Sequence, residues 1–127
     1  MITTTRFGTK DIVRAKAFWS VIAPMVGAAQ IYDRENLIAF KGADGGMLLI
    51  GVPFAGAHEV GNGNMAGFQA ASRADVGAIH AKAMELGGTY EGAPGVRGDD
   101  PNGFYGAYFR DPDGNKLAVF RFGPPDA

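Results

Sequence analysis

The chain repeats itself once, at an offset of 61 residues, and two half-length copies of one unit restrict the fold more than any single motif does. Thr4, Phe7, Asp11, Ala15, Phe18, Ile22, Met25 and Gly27 fall on Met65, Phe68, Ser72, Val76, Ile79, Ala83, Leu86 and Gly88. Repeats of roughly 20 to 50 residues build solenoids or propellers and need at least three copies, whereas two copies of about sixty indicate a duplicated globular half. The 127 residues therefore read as one α+β domain with internal pseudo-symmetry, its modules spanning approximately 1–55 and 62–124.

Each copy opens with a short β-branched or aromatic run, residues 2–8 and Met65 to Ala71, followed by apolar positions at 3,4,3 spacing: 15, 18, 22, 25 and 76, 79, 83, 86. That spacing is the stripe of an amphipathic helix. Asp11 is placed to N-cap the first helix and Ser72 with Asp75 the second, while Pro24 with Gly27 and Gly87 with Gly88 mark the ends. Strands are then expected at Ala29 to Tyr32, Leu37 to Lys41 and Met47 to Val52, and again at Thr89 to Glu91, Phe104 to Arg110 and Lys116 to Phe122. Each module is β-α-β-β-β. The Asp44-Gly45 and Asp113-Gly114 turns close the last hairpin of each, glycine supplying the positive φ. Their offset is 69, so the second copy carries eight extra residues, placed most naturally in a loop over Glu91 to Gly103.

Composition removes several functions. Lys plus Arg number 12 against 13 Asp plus Glu with no basic block, so the electrostatic footprint of a nucleic-acid binder is missing. No uncharged apolar stretch of about 18 residues and no signal-peptide pattern exist, so no membrane partner is expected and a cytoplasmic location is the default. Cysteine is absent, which excludes disulfides, thiolate nucleophiles and Cys-based zinc or iron–sulfur sites.

Paired β-α-β-β-β modules ending in Tyr108-Phe109-Arg110-Asp111-Pro112-Asp113-Gly114-Asn115 resemble the vicinal oxygen chelate superfamily of glyoxalases, bleomycin-resistance proteins and extradiol dioxygenases. Lys10-Asp11-Ile12, Ala17-Phe18-Trp19 and Gly61-Asn62-Gly63 leading into Met65-Ala66-Gly67-Phe68 support the resemblance. It implies an open, cupped sheet with helices outside and the ligand in the concave face. It also implies a metal held by a His on the first strand of each module and a Glu three residues beyond the Asn of the turn. Those positions carry Thr4, Met65 and Ala118. A neutral hydroxyl, a soft thioether and a methyl would not hold Mg, Mn, Fe(II), Ni or Zn. No metal and no cofactor are expected, which puts the superfamily's Lewis-acid chemistry in doubt.

Strand alternation directs Thr4, Arg6, Gly8, Met65, Gly67, Gln69, Phe104, Gly106, Tyr108, Lys116, Ala118 and Phe120 toward the cup, and Phe7, Phe68, Phe109 and Leu117 under the helices. From this set, Thr4, Arg6, Met65, Gln69, Phe104, Tyr108, Lys116, Ala118 and Phe120 are the candidate ligand-binding residues. Aromatic and thioether side chains suit a flat ligand, and Arg6 or Lys116 an anionic group. The resemblance further implies a homodimer. The leading expectation is a metal-free small-molecule-binding protein that sequesters a toxic, signalling or aromatic compound. The alternative is a lyase, isomerase or dioxygenase-like enzyme, using a metal site that includes His58 or acid–base chemistry by Asp99, Asp100, Tyr105 or Tyr108. His58 in the linker and Asp99-Asp100 in the inserted loop read more simply as solvated, and His80 as a partly exposed helix residue. Gly61-Asn62-Gly63-Asn64-Met65-Ala66 opens a strand rather than a helix, so it is not a nucleotide motif.

Overall fold

Both helices start where their caps place them in the computed structural model, which describes residues 1–127. The Asp11 carboxylate accepts the Arg14 amide (3.1 Å), and the Ser72 hydroxyl accepts the Asp75 amide (3.0 Å), satisfying amides that the first helical turn leaves without partners. Helix α1 runs Ile12–Met25 and α2 runs Arg73–Glu85, and Gly27 (φ 80°) and Gly87 (φ 96°) lie just beyond their ends. Neither helix is long and apolar enough to cross a membrane.

Eight strands complete the chain: β1 (Thr4–Gly8), β2 (Ala28–Arg34), β3 (Leu37–Gly42), β4 (Met47–Gly51), β5 (Ala66–Gln69), β6 (Thr89–Val96), β7 (Phe104–Arg110) and β8 (Lys116–Phe122). They form two mixed sheets of identical plan, β1-β4-β3-β2 and β5-β8-β7-β6, each with one parallel pair at its inner edge. Phe18, Trp19 and Ile22 of α1 and Val76 and Ile79 of α2 enter one apolar cluster with Phe40, Ile50, Phe109 and Leu117 from the two sheets. One core thus serves both modules.

Two expectations change. The insertion is not a loop throughout, because β6 continues to Val96 and leaves only 97–103 as a turn. A few of the extra residues are taken up as breaks of register around Glu91 and between Gly92 and Gly95, where glycines tolerate the bulged backbone and Pro94 avoids a ladder bond it could not donate. Most lie in the 97–103 turn, whose counterpart in the first module is residues 35–36 alone. The first strand of the second module is shorter than Met65 to Ala71: pairing covers Ala66–Gln69, although the Ala70 amide still reaches the Phe120 carbonyl (2.7 Å).

The turn after β7 is also the clasp between the modules. Asp111 Oδ1 accepts the amides of Asp113 (3.0 Å) and Asn115 (2.9 Å), and Oδ2 accepts Asn115 Nδ2 (2.9 Å) and Trp19 Nε1 of α1 (3.3 Å). Asp113 Oδ1 accepts the Lys10 amide (2.9 Å) and the Arg14 guanidinium (2.8 Å), while Asn115 Nδ2 donates to Gly8 O (3.0 Å). The counterpart turn of the first module has Gly42 and Gly46 where the second has Asp111 and Asn115. Its Asp44 caps only its own Gly46 amide (3.0 Å) and makes no bond to the second module. In place of a second clasp lies an open groove of about 930 Å³ between Ile2–Thr5, the end of α1, this turn and residues 65–71.

Burial pushes the Asp111 carboxyl above the usual carboxylate range, against the opposing hydrogen bonds from Asn115 and Trp19. For a carboxyl raised in the folded state, the associated stability is fully present below its unfolded value of about 3.9 and is lost as pH rises through the folded value. Asp111→Asn, which offers an amide NH2 to donors and does not titrate, should lower stability by about 2 kcal/mol. Urea denaturation of both proteins at neutral and acid pH should show the wild-type advantage growing as pH falls; a constant difference would mean that burial does not perturb Asp111.

Candidate functional site

The concave face of the second sheet is built by register. Across the strands, Ala118 stands between Gly67 and Tyr108, Phe120 between Gln69 and Gly106, and Phe122 opposite Phe104. Residues opposite one another share a face, so the alternation anticipated for β5, β7 and β8 holds. On the other face, Phe109 and Leu117 are fully buried, Phe68 packs against the core, and Phe7 stacks on Trp19 (6.1 Å).

Three phenylalanines form a platform on the concave face. The rings of Phe104 and Phe120 are stacked at 5.4 Å and 17°, and Phe122 meets both edge-on at 5.3 and 5.8 Å. Two glycines make room for them: a Cβ on Gly106 would lie 2.6 Å from the Phe104 ring, and one on Gly67 would lie 3.1 Å from that of Phe120. Phe122 remains 59% exposed, so the platform opens to solvent. Ala118 is buried (2% exposed) and closes the floor rather than presenting surface.

Beside this platform Tyr108 is flanked by two cations. Lys116 Nζ stands 5.7 Å from the ring centroid and the Arg97 guanidinium 5.6 Å, both within cation–π range. Arg97 escaped the sequence reading, which treated its surroundings as loop. Its guanidinium folds back on β6, donating to Ala93 O (2.7 Å), and lies where side chains on Gly92 and Gly95 would begin. The signal available was an arginine following two glycines at the end of a strand.

The remaining candidates lie along the seam where the inner edges of the two sheets approach. Arg6, Met65 and Lys116 line a polar cavity of about 730 Å³ together with His58, Glu59, Asn64 and Asn115, whereas Thr4, Met65 and Gln69 line the 930 Å³ groove. Phe104, Tyr108, Ala118 and Phe120 lie outside both, on the sheet face. Arg6 runs along its own sheet over Gly51, donates to Val52 O (3.1 Å) and stacks on Phe54 (5.3 Å).

The donor set does not fit the superfamily's metal. Thr4 and Met65 are exposed, Ala118 is a buried methyl, and nowhere do three His, Asp or Glu side chains converge. The two histidines differ from expectation. His58 is 7% exposed, its ring packed over Gly8 and its Nε2 3.3 Å from Asp113 O, because the linker folds onto the clasp instead of into solvent. His80 is equally buried, edge-on to Tyr90 (5.7 Å) and Phe109 (6.3 Å), with Nε2 unpartnered in the packing of α2 on its own sheet. Asp99 and Asp100 are exposed, and Asp100 caps its own turn at the Asn102 amide (2.8 Å). Tyr105 lies on the helix side beneath Arg73 (4.8 Å), apart from Tyr108.

Comparison with known proteins agrees with this architecture. The family model for the Glyoxalase/Bleomycin resistance protein/Dioxygenase superfamily matches residues 2–119. A glyoxalase/bleomycin resistance protein from Albidiferax ferrireducens T118 is 28% identical, with a TM-score of 0.84 over 95% of this chain and 98% of its own. Lactoylglutathione lyase from Agrobacterium tumefaciens is 24% identical, with a TM-score of 0.65 over 95% and 92%. A glyoxalase/bleomycin resistance protein/dioxygenase family enzyme from Burkholderia phytofirmans PsJN is 16% identical, with a TM-score of 0.71 over 94% and 97%. The last two likenesses bear on the fold alone. No curated protein matches the chain in sequence.

The glycine cradle gives a signed expectation. Gly→Ala inside a strand ordinarily gains about 0.5–1 kcal/mol. Gly106→Ala should instead lose about 1 kcal/mol, because the new methyl displaces the Phe104 ring. A gain in urea denaturation, with an unchanged aromatic near-ultraviolet dichroism, would show that the ring does not depend on the missing side chain.

Proposed function

Because this chain belongs to the Glyoxalase/Bleomycin resistance protein/Dioxygenase superfamily, we propose that it is a small-molecule-binding protein that works without the superfamily's metal and holds its ligand on the concave face. The observation that carries this reading is the donor set at the three inherited ligand positions: Thr4, Met65 and Ala118 supply no anionic or imidazole donor. The face around them keeps what a binding site needs, which is a solvent-open aromatic surface with a few polar groups at its margin. Arg6, Met65, Gln69, Phe104, Tyr108, Lys116 and Phe120 are the residues assigned to the ligand, with Thr4 and Ala118 as the wall and floor between the modules. Sequestration of an aromatic compound follows, since binding alone needs no group that transfers a proton or an electron pair.

The enzymatic alternative rests on His58, which lines the polar cavity beside Glu59. Its ring is engaged by Asp113 O and packed over Gly8, which favours a structural part in seating the linker. A cytoplasmic homodimer belongs to the same proposal; solvent-exposed Val13 and Ile31, away from the concave face, leave apolar surface that a second copy would cover.

Metal content decides between the readings. Tag-free protein dialysed in turn against Mn, Fe(II), Ni and Zn should retain well below one equivalent of each by plasma mass spectrometry. Stoichiometric retention of any one would return lyase and dioxygenase chemistry to first place. Light scattering on a sizing column should give twice the chain mass, and a monomer at high concentration would remove the dimer.

A further inference from the structure

The charges on the concave side of the second module do not cancel. Four charged side chains stand there: Glu91, Arg97, Arg110 and Lys116. Arg110 Nε donates to Glu91 Oε1 at 2.6 Å and its Nη1 to Gly114 O (2.8 Å), so the one carboxylate is engaged at contact by Arg110 and reaches Lys116 only at longer range. Neither Arg97 nor Lys116 forms a salt bridge, although the whole chain carries one more acid than base. Arg6, which shares the polar cavity with Lys116, is unpaired as well.

Their placement is fixed by the fold. Arg97 is held by backbone carbonyls of its own strand across Gly92 and Gly95, and it meets the Tyr108 ring that Lys116 also approaches. Tyr108 stands opposite Ala118, and Phe120 is the next residue along β8 on the same face. Diagonal neighbours of this kind lie about 7–8 Å apart, the span of a small fused or substituted aromatic ring system. The buried methyl of Ala118 forms the floor between them. The cations therefore border the phenylalanine platform at one ring's reach.

We infer that the ligand is a planar aromatic acid, its carboxylate held by Arg97 and Lys116 beside Tyr108 and its ring laid on Phe120 and Phe104. This rests on the reading of the concave face as a ligand site and goes beyond it by naming the class of ligand and assigning Arg97 to its recognition. A carboxylate supplies acceptors for the Arg97 fork, whose bonds in the free protein go to backbone carbonyls, and for the Lys116 ammonium, which has only the Tyr108 ring and a longer-range attraction to Glu91. The aromatic body displaces water from the exposed edge of Phe122 and adds a stacked partner to the platform.

Calorimetric titration with three probes tests this: 2-naphthoate, its uncharged counterpart 2-naphthalenemethanol, and cyclohexanecarboxylate. The naphthoate should bind at least about tenfold more tightly than either of the others, since each lacks one of the two recognised features. Arg97→Gln and Lys116→Gln should each weaken naphthoate about fivefold or more and leave the alcohol unchanged, and raising the salt concentration should act on the acid alone. Phe120→Leu should weaken both aromatic probes. Both cationic side chains are at the surface of the site, and thermal melting of each variant checks that the fold is intact. If the alcohol binds as tightly as the acid, the acid class is wrong while ligand binding on this face stands. If naphthoate binds but neither cation variant weakens it, the assignment of Arg97 and Lys116 falls. Absence of binding by either aromatic probe overturns the inference, and the ligand-site reading falls with it unless a thermal-shift screen finds a compound whose effect Phe120→Leu removes.

Discussion

The Asp111 carboxylate fixes how the two modules stand relative to each other. Buried to 1% exposure, it gathers two amides of its own turn, the Asn115 side chain and the indole of Trp19 from the opposite module. An ionised group so placed is tolerable only because its two oxygens accept these hydrogen bonds, which oppose both its burial and the repulsion from Asp113. The same turn presents Asp113 to the start of α1, so the direction of the first helix and the end of the second sheet are set at one point. The apolar cluster shared by α1 and α2 supplies cohesion, but it is non-directional; the turn supplies the angle.

Much of this was legible in the chain because it is local. The 3,4,3 stripes, the capping residues Asp11 and Ser72 and the Asp-Gly turns are each decided within a few residues, and each stands where the sequence places it. The faces of β5, β7 and β8 followed from strict alternation. What escaped is non-local. The bond from Trp19 to Asp111 joins residues 92 positions apart, and the burial of His58 depends on a linker folding back over Gly8. Arg97 was invisible for a related reason: its role depends on β6 continuing through Gly92, Pro94 and Gly95, residues whose composition argues against a strand.

On the concave face the superfamily's cup stands without its usual donor set. Positions that would hold an ion carry a hydroxyl, a thioether and a methyl. The adjacent strand positions carry phenyl rings seated over glycines, so the surface is furnished for contact rather than coordination.

The single clasp makes the two halves mechanically unequal. The turn at 42–46 has glycines where its counterpart has Asp111 and Asn115, so it answers to no residue of the other module. Length changes in that hairpin would be absorbed locally, as they are in any free surface loop. One residue added between Pro112 and Gly114 would withdraw the acceptors of Lys10, Arg14 and Trp19 together. Duplication has thus divided the labour between copies: one turn is committed to holding the domain together, and its twin is open to insertion, circular permutation or the grafting of a new recognition loop.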